Sequence, residues 1–329
     1  MDNYDAVLQQ MQAFGVRFRK AGDLPLKIDT PKSKTCGVGG KWWYKLYTFQ
    51  REQLVFIVGS FGSYKTGDSQ KVEVDWKPLA QAERQRLQAQ HAAAKAAEDE
   101  ARRQEAELAA LGAADLWLAA HKSGESKYLT RKGVTGEACR YLHDGSIVIP
   151  LLRYDQPREQ ALRGVQRIFA DGAKRFTKGF AKTGCALRLG TVVPGRVILV
   201  CEGYATGLTL RMATSRMFVV YVALDAGNLV HAVPLLRELH SDCPLLICGD
   251  DDHLTRDQQT GKLNNPGRTT ARKVAKTVEH CDFLWPVFVA ATRGPKDTDF
   301  NDLHARQGLD AVTRQINSVL HAMGQKYDG

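Results

Sequence analysis

The chain has 329 residues, of which 43% are hydrophobic, and a formal net charge of +10. This length favours two or three domains, and the apolar content excludes a largely disordered chain. The excess of Lys and Arg favours a polyanionic partner, because basic side chains release the counterions condensed on nucleic acid. Residues Met1–Asp5 are acidic where a signal peptide is basic, and no apolar stretch approaches about 20 residues. We therefore expect a soluble, cytoplasmic protein with no membrane partner.

The seven cysteines form no C-x-x-C pair. Neither a disulfide framework nor a zinc ribbon is therefore predicted. Cys243, Cys248 and His253 are close enough in sequence to be considered as metal ligands. Because Cys248 lies inside an apolar run, a buried and reduced thiol is the favoured interpretation.

Residues 1–76 predict a small N-terminal α+β accessory domain. Apolar residues recur at helical spacing within residues 2–15, and the stretches 42–49 and 54–58 are typical of strands. The segment Gly59–Thr66 has some likeness to a phosphate-binding loop. Tyr64 stands where that motif needs glycine, and the following Gly-Asp-Ser predicts a turn instead of a helix. We therefore do not predict ATPase activity from this segment.

Residues 77–112 predict a single spacer helix. From Pro78 to Leu111 the composition is dominated by Ala, Gln, Glu, Arg and Lys, and Gly112 is expected to close the helix. No large apolar residue occurs between Leu87 and Leu108, so the seam of a coiled coil is missing. A solvated spacer is favoured over a helix that binds a partner.

Residues 113–190 predict a second, basic α+β segment, and residues 191–329 predict an α/β domain. The first has apolar strands at 146–152 and 165–169. In the second, apolar strands alternate with helices, which indicates a mostly parallel sheet with helices on both faces. The predicted strands of the α/β domain are 196–201, 218–224, 245–248 and 283–290, and its predicted helices are 204–214, 229–240 and 269–280.

Acidic residues directly follow three of these strands. Glu202 follows the first, Asp225 the second, and Asp250-Asp251-Asp252 the third. Ligands of open α/β sheets bind outside the carboxyl ends of the strands, and a hard divalent cation relieves the repulsion between carboxylates gathered there. We therefore predict a site for Mg²⁺, or Mn²⁺. For Asp225, capping of the next helix is an equally good interpretation.

The segment Cys201–Gly207, followed by Gly249–Asp252, resembles the Toprim domain of bacterial primases, topoisomerases and some nucleases. The closer resemblance, over about residues 113–310, is to primases of conjugative plasmids and related mobile elements. Four further segments support it: Lys127–Val134, Gly164–Ile168 with Asp171–Phe176, Asn265–Arg268, and Asp299–His304.

The resemblance implies a DNA primase that joins ribonucleotides on a single-stranded DNA template. Glu202 would ligate the metal or assist proton transfer, and Asp250 and Asp252 would ligate Mg²⁺. The substrates would be ribonucleoside triphosphates, and a helicase or other replication protein would be a partner, since no helicase motif is visible. The chain lacks the cysteine pairs of the zinc module found in replicative primases.

Residues 153–188 are rich in cations that suit a template strand or a triphosphate. An aromatic residue, Phe176, adjoins them, and a base can stack on such a ring. A solvated basic face is the alternative interpretation. The candidate residues for binding nucleotide or nucleic acid are Lys132, Gln166, Arg167, Lys174, Arg175, Lys178 and Arg268.

Two other functions are compatible with these features. A Toprim nuclease would share the acidic residues but use water as the nucleophile. A non-catalytic protein that binds single-stranded DNA would need only the basic surface. A topoisomerase is disfavoured, because nothing resembles the large tyrosine-bearing domain that it requires.

Overall fold

A computed structural model describes residues 2–19, 22–51, 54–74, 81–256 and 261–325. Their contacts form two compact units, Met1–Arg103 and Gln104–Gly329. The predicted boundaries after residues 76, 112 and 190 stay predictions, and the one at Trp76 lies outside the described residues. Among the described helices, none combines the length and the apolarity needed to cross a bilayer.

The first unit packs a helix against an antiparallel sheet with the strand order β1-β2-β3-β4. Val7 and Met11 of the helix pack with Leu46, Ile57 and Phe61 of the sheet. A turn and then a strand follow β3, so the exclusion of a phosphate-binding loop is confirmed. The elements are α1 (Tyr4–Ala13), β1 (Lys34–Cys36), β2 (Trp42–Arg51), β3 (Leu54–Ser63) and β4 (Ser69–Lys71).

The long helix α2 (Gln81–Ala119) continues through Gly112, so the predicted end at that glycine is wrong. Its last turns bury Ala113, and Ala120 just beyond them, against Val148 and Val165 of the following sheet. Burial of this apolar face outweighs the weak helix propensity of one glycine, which is about 1 kcal/mol.

After the end of α2, the second unit continues with a short helix and an antiparallel sheet in the order β5-β6-β7-β8. Alternate residues of β6 point to opposite faces of this antiparallel sheet. Ile147, Ile149 and Leu151 join the main core, whereas Val148 faces the end of α2. The elements are α3 (Lys127–Lys132), β5 (Arg140–Tyr141), β6 (Ile147–Leu152), β7 (Leu162–Ile168) and β8 (Lys174–Phe176).

The main sheet has the order β13-β12-β10-β11-β9, in which only β9 is antiparallel. The last predicted strand, 283–290, is wrong in its bounds: Cys281–Leu284 pairs with Leu245–Cys248, and Pro286 has no N–H to extend the ladder. The strands are β9 (Leu187–Leu189), β10 (Ile198–Cys201), β11 (Val220–Val222), β12 (Leu245–Cys248) and β13 (Cys281–Leu284).

Helices cover both faces of this sheet, as the sequence predicts. Leu199 and Leu246 face a core that includes the antiparallel sheet, whereas Val200 and Ile247 face the opposite core. On the first face lie α4 (Tyr204–Ala213), α7 (Phe300–Gln307) and α8 (Leu309–Ala322), and on the second α5 (Ala226–Leu239) and α6 (Pro266–Thr277).

Candidate active site

Glu202 and Asp250 lie at the carboxyl ends of two neighbouring parallel strands. β10 and β12 pair with Cys201 beside Cys248, so both strands end at the same level of the sheet. Glu202 is 9% exposed. Its Oε1 atom and Oδ1 of Asp250 are buried and find no hydrogen-bond partner among the described residues. Two strand ends therefore present carboxylate oxygens that the protein itself leaves unsatisfied.

Glu202, Asp250 and the acidic side chains around them form what we call the acidic rim. The electrostatics of this rim favour a bound cation. Burial raises the pKa of Glu202 to about 7, and the charges of Asp252 and Asp225 contribute further. Burial also raises the pKa of Asp250 well above its usual range, and Glu202 and Asp299 add to this effect. The carboxylates thus repel one another where water cannot screen them, and a divalent cation would relieve that repulsion.

The ligand set fits a hydrated magnesium ion better than a metal caged by protein. Within the described part of the chain, no three His, Cys, Asp or Glu side chains could hold a metal on their own. Mg²⁺ normally keeps several waters and takes one or two carboxylates together with substrate phosphates. The unpartnered oxygens of Glu202 and Asp250 suit that mode, and hard oxygen ligands also suit Mn²⁺.

Asp251 differs from its neighbour Asp250, because its carboxylate is fully engaged. It accepts hydrogen bonds of 2.8 Å from Arg268 and from Arg293, and one of 2.6 Å from Asn265. Burial acts to raise the pKa of Asp251, but the hydrogen bonds of Asn265 and Arg293 outweigh it and the pKa lies below its usual value. Asp251 therefore anchors the loop that carries Asp250.

Asp252 and Asp225 each accept a hydrogen bond from a backbone N–H at the start of a helix. Oδ2 of Asp252 accepts the N–H of Gly267 at 3.0 Å. A Cβ on Gly267 would lie 2.4 Å from the carbonyl oxygen of Asp250, so glycine allows α6 to begin this close to the acidic loop. Asp225 caps α5 through the N–H of Asn228 and forms an ion pair with Lys182. The capping interpretation of Asp225 is thereby confirmed.

Residues 197–310 match the family model described as the Toprim domain. The chain carries a Toprim domain. It is 30% identical to DNA primase TraC of Escherichia coli over 95% of this chain, and spans 30% of that primase's length. A second match to a DNA primase TraC of Escherichia coli is 34% identical, over 39% of this chain and 9% of the primase. The resemblance to Toprim primases of the plasmid type is confirmed.

Solved primase structures show a more distant likeness. The primase fragment of the bacteriophage T7 primase-helicase is 13% identical, with a TM-score of 0.38, over 58% of this chain and 69% of that fragment. The RNA polymerase domain of Mycobacterium tuberculosis primase DnaG is 18% identical, with a TM-score of 0.30, over 59% of this chain and 62% of the other.

Lys132 lies beside the acidic rim of the Toprim domain. Its Nζ is 3.5 Å from Oδ1 of Asp302, and Asn301 donates a 2.8 Å hydrogen bond to its carbonyl. Burial, followed by the charge of Asp302, raises the pKa of Asp299, whose carboxylate accepts a bond of 3.0 Å from Thr206. Asp299 and Asp302 are not among the predicted site residues, because D-x-x-D at a helix start also forms the capping box seen here.

The helix α3 connects this rim to the hairpin of β7 and β8. Arg131, next to Lys132, donates a 2.5 Å hydrogen bond to the carbonyl of Ala170 in the hairpin turn. Lys174 and Arg175 are exposed on β8 of the same hairpin. Two consecutive basic residues of α3 thus contact the hairpin and the acidic rim.

The other predicted binding residues occupy varied positions. Gln166 is only 4% exposed and lies inside the sheet, so it offers little surface to a ligand. Arg167 pairs with Asp144, and its guanidinium lies over the ring of Phe169 at 4.6 Å. Lys178 is exposed after β8. Among the predicted binding residues, the exposed ones are therefore Lys174, Arg175 and Lys178, on the edge strand β8 and just after it.

Proposed function

We propose that this chain is a DNA primase that uses ribonucleoside triphosphates to make RNA on a single-stranded DNA template, with Mg²⁺ or Mn²⁺. The observation that carries the proposal is the pair of buried, unpartnered carboxylates of Glu202 and Asp250 in a Toprim domain. The similarity to DNA primase TraC supports this reading over other uses of the same domain.

The residues of the rim would have separate roles in nucleotidyl transfer. A bound divalent cation would stabilise the charge that develops on the attacking and leaving oxygens. Glu202 and Asp250 would hold it, with Asp252 at the edge of the same loop. Where it does not hold the cation, Glu202 would instead accept the proton of the attacking 3′-hydroxyl. Lys132, at the edge of the rim, would bind the triphosphate tail.

The hairpin of β7 and β8 would hold the template. Lys174 and Arg175 would contact phosphates, and Phe176, which is 39% exposed, offers a ring for stacking of a base. Phe176 is itself supported by Phe180, since the two rings stack at 5.8 Å. Because the template is single-stranded, we also propose a helicase or other replication protein as partner, and a cytoplasmic location.

The decisive experiment incubates the purified chain with single-stranded DNA, Mg²⁺ and labelled ribonucleotides. We expect short RNA products that disappear when the template is omitted. Cleavage of the DNA with Mg²⁺ and without nucleotides would instead assign a Toprim nuclease. Binding with neither reaction would assign a non-catalytic single-stranded DNA-binding protein.

A double substitution of the hairpin, Lys174→Ala with Arg175→Ala, tests the template site. Primer synthesis should fall strongly and DNA binding only partly, because other cations still contact phosphates. The matched control is Lys122→Ala with Arg314→Ala, which removes the same charge from exposed positions outside the hairpin. Synthesis at the wild-type rate by the hairpin variant would remove these residues from the site.

A further inference from the structure

The outer face of α6 is a second basic surface of the Toprim domain. Arg272, Lys273 and Lys276 are exposed, whereas Ala271 and Val274 on the other side of the helix are buried in the core. The helix contains no acidic residue. Within the ranges that the structure describes, none of these three cations forms an ion pair with a carboxylate. Their charge is therefore available to a ligand.

Aromatic side chains of β13 and of the residue that follows it contact the arginines of this surface. The guanidinium of Arg268 lies 4.3 Å from the ring centroid of Trp285, and that of Arg272 lies 5.8 Å from the centroids of both Trp285 and Phe283. The two rings are 5.5 Å apart. An arginine held against aromatic rings in this way loses little further freedom when it binds a phosphate or stacks on a base.

A cavity of about 550 Å³ opens on this face, and its lining among the described residues consists of polar and basic side chains of α6 and its cap, from Asn265 to Lys276. Its walls offer guanidinium and ammonium groups to an anion. Arg268 and Arg272, which line the cavity, also contact Trp285, and cations next to an aromatic ring suit a strand with accessible bases.

This face adjoins the acidic rim on the side opposite the β7–β8 hairpin. Asn265, which caps α6, accepts the N–H of Asp252 at 3.0 Å, so the helix begins at the acidic loop. α6 packs on one face of the main sheet, and the antiparallel sheet packs on the other. Two basic surfaces thus flank one rim of carboxylates.

We propose that the outer face of α6, with Trp285, binds single-stranded DNA, so that a strand held on the hairpin crosses the acidic rim and continues along this helix. The inference rests on the proposed function, because it describes the path of that function's template. It adds a site that the basic segment at residues 153–188 does not include.

The test compares a double variant that carries Arg272→Ala and Lys276→Ala with the control that carries Lys122→Ala and Arg314→Ala. Fluorescence anisotropy of a labelled single strand is measured over a range of salt concentrations. We expect affinity on the order of tenfold weaker, and a salt slope smaller by about 1.4, since each lost phosphate contact on a single strand contributes about 0.7. The control should stay within about twofold of wild type, and thermal melting should show that both variants are folded.

A second variant, Arg272→Lys, separates charge from planar stacking. It should keep the wild-type salt slope and still bind severalfold more weakly, because lysine cannot lie flat against Trp285 and a base. Wild-type affinity in the alanine double variant would overturn the inference. Equal loss of affinity for a blunt duplex of the same length would overturn the assignment to a single strand.

These outcomes are distinguishable from failure of the proposed function. A wild-type chain that makes RNA, with a double variant that binds DNA normally, would refute only the α6 surface. A wild-type chain that binds DNA through α6 but makes no RNA would refute the primase and leave the surface standing.

Discussion

Two buried carboxylates, one in each unit of the molecule, have opposite properties. Asp23 of the first unit is 4% exposed and accepts hydrogen bonds from Arg19 at 2.7 Å and from the N–H of Gly37 at 3.0 Å. The hydrogen bond of Arg19 lowers the pKa of Asp23 to about 2. Glu202 of the Toprim domain is 9% exposed, yet its pKa is raised to about 7.

The comparison shows that hydrogen-bond donors, and not burial alone, decide whether a buried acid stabilises the fold. Residues of its own unit donate hydrogen bonds to Asp23. Glu202 and Asp250 are instead placed near other acids, and each keeps an oxygen without a partner. Asp250 and Asp251 repeat the contrast within one loop, since only Asp251 is met by arginines. Unsatisfied buried acids of this kind are typical of sites that complete their ligand set with a substrate or metal.

The largest effect should come from Asp250→Asn, which removes a charge with almost no change in volume. We expect primer synthesis to fall at least about a hundredfold, because a proposed metal ligand is lost. Without metal, the variant should nevertheless melt at a higher temperature, since repulsion with Glu202 is relieved. Asp310→Asn, at an exposed position of α8, is the control. Full activity of the folded Asp250→Asn variant would refute the metal assignment, and we expect Glu202→Gln and Asp252→Asn to lose activity similarly.

The neighbouring substitution, Asp251→Asn, should have the opposite effect on stability. It leaves Arg268 and Arg293 without their shared partner, and losing one side of a buried ion pair lowers the free energy of unfolding by about 3 kcal/mol. Urea denaturation of the two asparagine variants, side by side, measures the contrast. If Asp251→Asn were as stable as wild type, the anchoring role of this residue would be wrong.

The pH dependence of the metal-free protein should report Glu202. Its pKa is raised in the fold, from 4.5 to about 7, so the folded state binds the extra proton and its stability falls as the pH rises through this window. Across this window, the free energy of unfolding should fall by on the order of 3 kcal/mol. Thermal melts should therefore show a decline between these pH values that Glu202→Gln reduces. Added Mg²⁺ should raise the melting temperature above pH 7, and no response to Mg²⁺ would argue against the proposed site.

Asp23→Asn should give the smallest effect. Arg19 is half exposed, so solvent screens the pair and we expect only a small loss of stability. Because the pKa of Asp23 is lowered, its contribution is present above pH 3.8 and is lost as the pH falls through about 2. Acid melts of the variant and of wild type should thus converge at low pH. A difference that persists there would assign the stabilisation to something other than this carboxylate.

The sequence by itself determined the parallel sheet and the position of its acids. Strands such as Leu245–Cys248 are short apolar runs that can be read locally, and a residue that follows a strand must lie at its end. Glu202 and Asp250 could therefore be selected without coordinates. The passage of α2 through Gly112 could not, because its cause is burial against strands that come later in the chain.

Only the tertiary structure decided which charges meet. Arg293 reaches Asp251 across 42 residues, and Lys132 reaches Asp302 across 170. No local pattern records such contacts, since the chain closes these loops only when the core forms. The same long-range packing distinguishes Asp250, left unpartnered at the rim, from Asp251, which is held by two arginines, although the two residues are adjacent and chemically identical.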